Sequence, residues 1–157
     1  MKPKVYIETS IISYLTARPS RDLITVARQE LTWQWWENQR RDYDLYVSEF
    51  VVQEVGDGDP HAAERRLEIL RGVPEIAVSE DAMTLARALL ADGPLPEKAA
   101  VDAFHIAVAV TGGVDYLLTW NFKHLANAVL RIRIEELCRS RGYEPSVICT
   151  PEELLGE

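Results

Sequence analysis

The chain has 157 residues, 47% hydrophobic and 27% charged, with 8 Gly, 8 Pro and 2 Cys, proportions that exclude a disordered or low-complexity chain. A chain of this length can bury roughly two thirds of its unfolded surface without a disulfide or metal staple, so one domain over residues 1–157 is expected. Lys+Arg 17 against Asp+Glu 25 leaves a net charge of -8, the wrong sign for a nucleic-acid binder that works by bulk charge; a polyanion must be met by a local basic patch or by cations that mask carboxylates.

Lys4 to Ile7 reads as a buried strand ending at Glu8, and Thr9 or Ser10 can cap a short helix through Leu15. After a polar loop at Arg18, Pro19 and Ser20, Asp22 caps a long helix to about Gln39, with Leu23, Val26, Ala27, Leu31 and Trp35 at helical spacing. Three tryptophans fall here, Trp33, Trp35 and Trp36, a pattern of core or protein interface more often than of base stacking. Tyr43 to Val47 is the second strand, Ser48 caps a helix from Glu49 to Val55, and the Gly56–Pro60 stretch stops it. A helix from about His61 to Leu70, a third strand Ile76–Val78 and a helix opened by Ser79 and running to Ala91 follow. Beyond Pro94 and Pro96, Glu97 to Val110 is helical, Tyr116 to Thr119 is the fourth strand, Lys123 to about Arg141 is an interrupted helix, and Ser146 to Cys149 is the fifth strand. Strands alternating with helices throughout predict an α/β fold, a three-layer α/β/α sandwich on a parallel sheet of about five strands.

Cys138 and Cys149 lack CxxC spacing and read as reduced, packed thiols, not a zinc site. Glu8 splits the apolar stretch that follows Lys2 and Lys4, no run approaches the roughly 18 apolar residues of a membrane span, and a cytoplasmic protein is expected.

In open parallel sheets reactive groups gather at the carboxyl ends of strands, near the point where successive connections diverge. Glu8 ends the first strand, Asn121 follows the fourth, Glu54 lies on the helix after the second, and Asp102 lies on the helix leading into the fourth. In the window AAVDAFHIAVAV only Asp102 and His105 are polar, so the helix reads as buried and its carboxylate needs a cation or a donor network. Each residue also has a plain structural explanation. Glu8 suits the N-terminus of the next helix, Glu54 a pairing with Ser48 or a solvated face with Glu49 as competitor, Asp102 an arginine pair or helix N-terminal amides, and Asn121 an N-cap. His105 can share the helix face of Asp102 or sit buried with its own backbone partner, and His61 and His124 have no ligand spacing. Thr9, Ser10 and Thr119 are either caps and strand-end hydroxyls or supports of the acids and contacts to substrate phosphate. As a set, oxygen donors from four places on one sheet edge suit Mg2+ or Mn2+.

Four segments in order, YIETSIISYL, VSEFVVQEV, AAVDAFHIAVAV and DYLLTWNFKHL, make the chain resemble the PIN domain nucleases, and within them the VapC-like toxins of toxin-antitoxin pairs. The resemblance implies a metal-dependent endoribonuclease whose acidic positions fall on Glu8, Glu54, Asp102 and Asn121, as catalytic residues and as ligands of Mg2+ or Mn2+. It also implies RNA as substrate, a cognate antitoxin and a second subunit as partners. Two positions depart from the family pattern: Glu8 stands where Asp is usual, and Asn121 offers a neutral amide where Asp is frequent, which weakens a second metal site more than a first. Arg18, Arg21, Arg40, Arg41, Lys123, Arg131 and Arg133 are the candidate basic residues for RNA phosphates. The rival reading is a degenerate PIN domain that binds RNA or protein without cutting. A phosphoacceptor receiver domain is disfavoured, because neither Val47-Ser48 nor Cys149-Thr150-Pro151 supplies its Asp or Lys, and no Gly-rich phosphate loop is present.

Overall fold

The computed structural model describes residues 1–156. Four short strands, β1 (Lys4–Ile7), β2 (Asp44–Tyr46), β3 (Tyr116–Leu118) and β4 (Val147–Cys149), form a wholly parallel sheet in the order β2-β1-β3-β4. Helices α1 (Thr9–Thr16), α2 (Leu23–Gln34), α3 (Glu49–Gly56), α4 (Pro60–Ile69), α5 (Glu80–Ala91), α6 (Ala100–Thr111) and α7 (Ala128–Ser140) make the connections, giving the three-layer α/β/α arrangement. Among the described residues no helix is long and apolar enough to cross a membrane.

The third expected strand, Ile76–Val78, does not form. Its chain touches the sheet at one parallel bridge, Val47 with Glu75, through Val47 N–H to the Pro74 carbonyl at 3.1 Å and Ile76 N–H to the Val47 carbonyl at 2.7 Å. Pro74 has no N–H to give, and the segment leaves after those two bonds to enter α5, so the sheet has four strands where about five were expected.

Several helix ends differ from expectation for physical reasons. Glu8, not Thr9 or Ser10, is the N-cap of α1, its carboxylate accepting from the Ser10 N–H. Ser48 stands at the N-cap of α3 without capping it, because its hydroxyl is bonded to Tyr6. The long helix after Asp22 is α-helical only to Gln34 and widens into a π turn over Trp35–Gln39, which turns Trp35 and Trp36 into the core and leaves Trp33 outside. The interrupted helix near residue 123 starts as turns and becomes regular only at α7, where the Asn127 side chain caps the Val129 and Leu130 amides.

The centre of the sheet is fully buried: Val5, Tyr6 and Ile7 of β1 and Leu117 and Leu118 of β3 pack with Ile106 and Ala107 of α6 and Val51 and Val55 of α3. A strand buried on both faces must be apolar throughout, which explains the unalternating VYI and YLL runs.

Candidate functional site

β1 and β3 are neighbours, with Ile7 opposite Leu118 and the Glu8 N–H bonded to the Leu118 carbonyl at 3.1 Å. From β1 the chain moves to β2 on one side, then returns past it to β3 on the other, so the crevice at the carboxyl ends of β1 and β3 is the switch point of the sheet. Glu8 and Thr119 occupy these two ends. A helix that feeds a parallel strand runs back along the sheet, which brings the first turn of α6, carrying Asp102, to the same edge.

Glu8 is 5% exposed and both of its carboxylate oxygens accept: Oε1 from the Ser10 and Thr119 hydroxyls, each at 2.5 Å, and Oε2 from the Ser10 N–H alone at 3.1 Å. Thr119 also accepts from the Asn121 N–H at 2.9 Å, and the Ser10 hydroxyl accepts from the Trp120 N–H at 2.8 Å, so the strand end of β3 is laced to α1 through the carboxylate.

Glu54 reaches the same place from α3. Its Oε1 accepts from the Thr9 hydroxyl at 2.8 Å and from His105 Nε2 at 2.6 Å. Burial works against ionisation here, but the hydrogen bond and electrostatic pull of His105, with the Thr9 hydroxyl, outweigh it and hold the Glu54 carboxyl below its usual value. A carboxylate only accepts, so Nε2 carries the proton and Nδ1 meets the Tyr6 hydroxyl at 2.7 Å, which in turn meets Ser48 at 2.7 Å. The chain Ser48, Tyr6, His105, Glu54 is buried except at its carboxylate end, and burial pushes the Tyr6 phenol up against the opposing Ser48 bond. Donor atoms of Glu8, Glu54 and His105 all lie within 4.8 Å of one another.

Asp102 is half-buried, not sunk in an apolar helix as expected: the first turn of α6 protrudes at the sheet edge, where Val101 is 43% exposed. No arginine holds it. Oδ1 accepts from Asn121 Nδ2 at 3.1 Å and Oδ2 pairs with His124 Nδ1 at 2.9 Å. Asn121 therefore presents its amide nitrogen to the acid. Its carbonyl oxygen, expected as a metal ligand, accepts the Lys123 and His124 amides at 3.1 and 3.3 Å, so Asn121 orients Asp102 and turns the chain.

The structure thus brings Glu8 and Glu54 within 4.8 Å of one another and ties Asp102 to Glu8 through Asn121 and Thr119. His105 faces Glu54, not Asp102, and has side-chain partners in place of the backbone partner considered for it. Sequence reading missed His124 as the Asp102 partner and Tyr6 and Ser48 as the support of His105. Only the three-residue step from Asn121 to His124, one turn of chain, hinted at the first of these.

No family model matches the sequence, and no curated protein matches it either. Solved structures do. A chain of the VapBC complex from Rickettsia felis bound to a DNA fragment from their promoter aligns with a TM-score of 0.60 at 14% identity, over 94% of this chain and 98% of that one. A sarcin-ricin loop cleaving VapC toxin of Mycobacterium tuberculosis aligns with a TM-score of 0.58 at 21% identity, over 76% and 91%. The fold is that of the PIN-like VapC toxins. A chain of VapBC-1 from nontypeable Haemophilus influenzae agrees, with a TM-score of 0.58 at 15% identity over 95% and 98%. Within this PIN-like fold, the four-stranded sheet and the crevice between β1 and β3 are the frame on which Glu8, Glu54 and Asp102 are carried.

Proposed function

We propose that the chain is a single-domain, divalent-metal-dependent endoribonuclease, the toxin of a toxin-antitoxin pair acting in the cytoplasm, with Glu8, Glu54 and Asp102 at its centre. The observation that carries this reading is the meeting of the Glu8 and Glu54 carboxylates within 4.8 Å at the switch point of the sheet, each braced by hydroxyl donors. Two carboxylates at that distance form a site of concentrated negative charge that attracts a cation between them. The donor set fits a hard ion: carboxylate oxygens, with Glu54 Oε2 taking no hydrogen bond among the described residues, suit Mg2+ or Mn2+. His105 is excluded as a ligand because both ring nitrogens are engaged.

A bound ion supplies a lowered pKa for its water and compensation for charge on the scissile phosphate. The chain's own residues do the rest. Ser10 and Thr119 aim Glu8; Thr9 and His105 aim Glu54 and keep it ionised, so that Oε2 can hold the ion or take a proton from the attacking water; Asn121 and His124 aim Asp102 toward the open edge. Asn121 acts through Asp102 and is a positioning residue.

The fold's likeness to chains of VapBC complexes supports an antitoxin as partner, and the sarcin-ricin loop cleaving neighbour supports RNA as substrate. Incubation of the chain with structured RNA and Mn2+ is expected to give cleavage that EDTA and Asp102→Ala both abolish. Cutting that survives either control refutes the reading, and binding without cutting on several RNAs replaces it with the degenerate binding module, for which the occupation of the Asn121 carbonyl by the Lys123 and His124 amides speaks. A homodimer is expected by light scattering on a sizing column; a strict monomer removes that part.

A further inference from the structure

One cation of α2 lies over the two aromatic rings that flank Asn121. Arg28, midway along α2, holds its guanidinium 4.5 Å from the centroid of the Phe122 ring and 5.8 Å from that of Trp120. These two rings bracket Asn121 in the chain and lie 5.9 Å apart. Trp120 is tied down: its indole donates to Thr32 at 2.7 Å, its backbone N–H donates to Ser10 at 2.8 Å, and Thr32 in turn donates to the Arg28 carbonyl at 2.6 Å. Among the described residues Arg28 makes no ion pair within 4.0 Å; Asp22, the N-cap of α2, directs its carboxylate to Thr25 and feels Arg28 only through its charge.

Of the basic residues expected to meet RNA, Arg131 donates to the Ile148 carbonyl at 2.8 Å, and Arg40 also lies over a ring, but that of Trp36 at 4.6 Å and not one of the two that flank Asn121. On a chain of net charge -8, a guanidinium without an ion pair, held over aromatic rings, is a restrained fork for an anion. Phe122, 41% exposed one residue beyond Asn121, adds a ring on which a base can stack. A phosphate and a base together use both groups, whereas an acidic peptide uses only the arginine.

We propose that Arg28 and Phe122 form a subsite for single-stranded RNA beside the acid cluster, Arg28 binding a phosphate that flanks the cut and Phe122 stacking the adjoining base. The proposal rests on the reading of Glu8, Glu54 and Asp102 as an RNA-cutting centre. Its test is cleavage of a single-stranded RNA in Mn2+, with anisotropy of the same labelled RNA in Ca2+ across a salt series. Arg28→Met keeps the aliphatic stem on the rings and drops the charge; it is expected to raise KM and Kd about tenfold and to flatten the salt slope by about 0.7, while Arg28→Lys restores the slope. Phe122→Ala is expected to weaken binding about five- to hundredfold, with recovery in Phe122→Trp. Circular dichroism melts confirm that each variant is folded.

Wild-type KM, Kd and salt slope in both Arg28→Met and Phe122→Ala, with cutting intact, overturn the subsite and leave the nuclease reading standing. A wild-type chain that neither binds nor cuts RNA removes the nuclease reading and the subsite with it. Unchanged RNA binding together with lost binding of an oligoglutamate probe in Arg28→Met makes the patch a protein-docking site and refutes the proposal.

Discussion

Glu54→Gln separates the two roles that the structure gives this carboxylate. Gln keeps the length and an oxygen that can accept from Thr9 and from His105, whose Nε2 lies 2.6 Å away, but the charge is gone. A hydrogen bond to a charged acceptor contributes about 1.5–3 kcal/mol and a neutral one about 0.5–1.5, so the variant should lose about 1 kcal/mol in the absence of metal. In a chain of this size that is about 2–4 °C in Tm. The metal arm is larger. An ion at 100 times its Kd stabilises the wild type by about 2.7 kcal/mol, or about 5–11 °C, and this shift should vanish in Glu54→Gln.

The acid limb follows from the sign of the Glu54 shift. Its folded pKa is depressed, so the associated stability is complete above the ordinary value of 4.5 and is lost as the pH falls through the lower folded value. The Tm gap between wild type and Glu54→Gln should therefore be full at pH 7 and close as the pH falls from 4.5 through the lower folded value. Differential scanning fluorimetry at several pH values, with and without Mn2+, reads both arms. A variant that keeps the whole Mn2+ shift, or a gap that widens on acidification, refutes the assignment of Glu54 as a charged ligand braced by His105.

Asp102→Asn should abolish Mn2+-dependent cleavage while leaving the far-ultraviolet circular dichroism unchanged, because the isosteric amide can still accept from Asn121 at the half-exposed sheet edge. Thr119→Val removes one of the two hydroxyls at 2.5 Å from Glu8 Oε1 and should weaken Mn2+ binding, measured by calorimetry, about 10- to 100-fold. Tyr6→Phe strips Ser48 and His105 of their shared buried partner and should cost about 1–3 kcal/mol in urea unfolding. Burial pushes the Cys138 thiol up to about 11 and the Cys149 thiol to about 12, so a thiol reagent at pH 8 should titrate neither in the native chain and both in denaturant.

The layout of the fold was legible because its signals are local. Apolar runs such as VYI and YLL, the caps at Asp22 and Ser79, and the stops at Gly and Pro depend on neighbours a few residues away, and strands β1 to β4 fall where those signals put them. Ile76–Val78 carries the same local signal and still fails as a strand, since a strand exists only when a partner's backbone runs beside it for more than two bonds. The residue types of the centre were equally legible: carboxylates set among apolar residues stand out in any reading of the chain.

Which group each carboxylate meets was decided by the tertiary structure. His105 is three positions from Asp102 and 51 from Glu54, yet it is bonded to Glu54, because the crossing of α3 and α6 over the sheet, not spacing along one helix, sets that distance. Asp102 finds His124, Glu8 finds Thr119, and Arg28 finds Phe122 for the same reason. Chain order determines the edge of the sheet at which a side chain emerges; the packing of elements remote in sequence determines its neighbours.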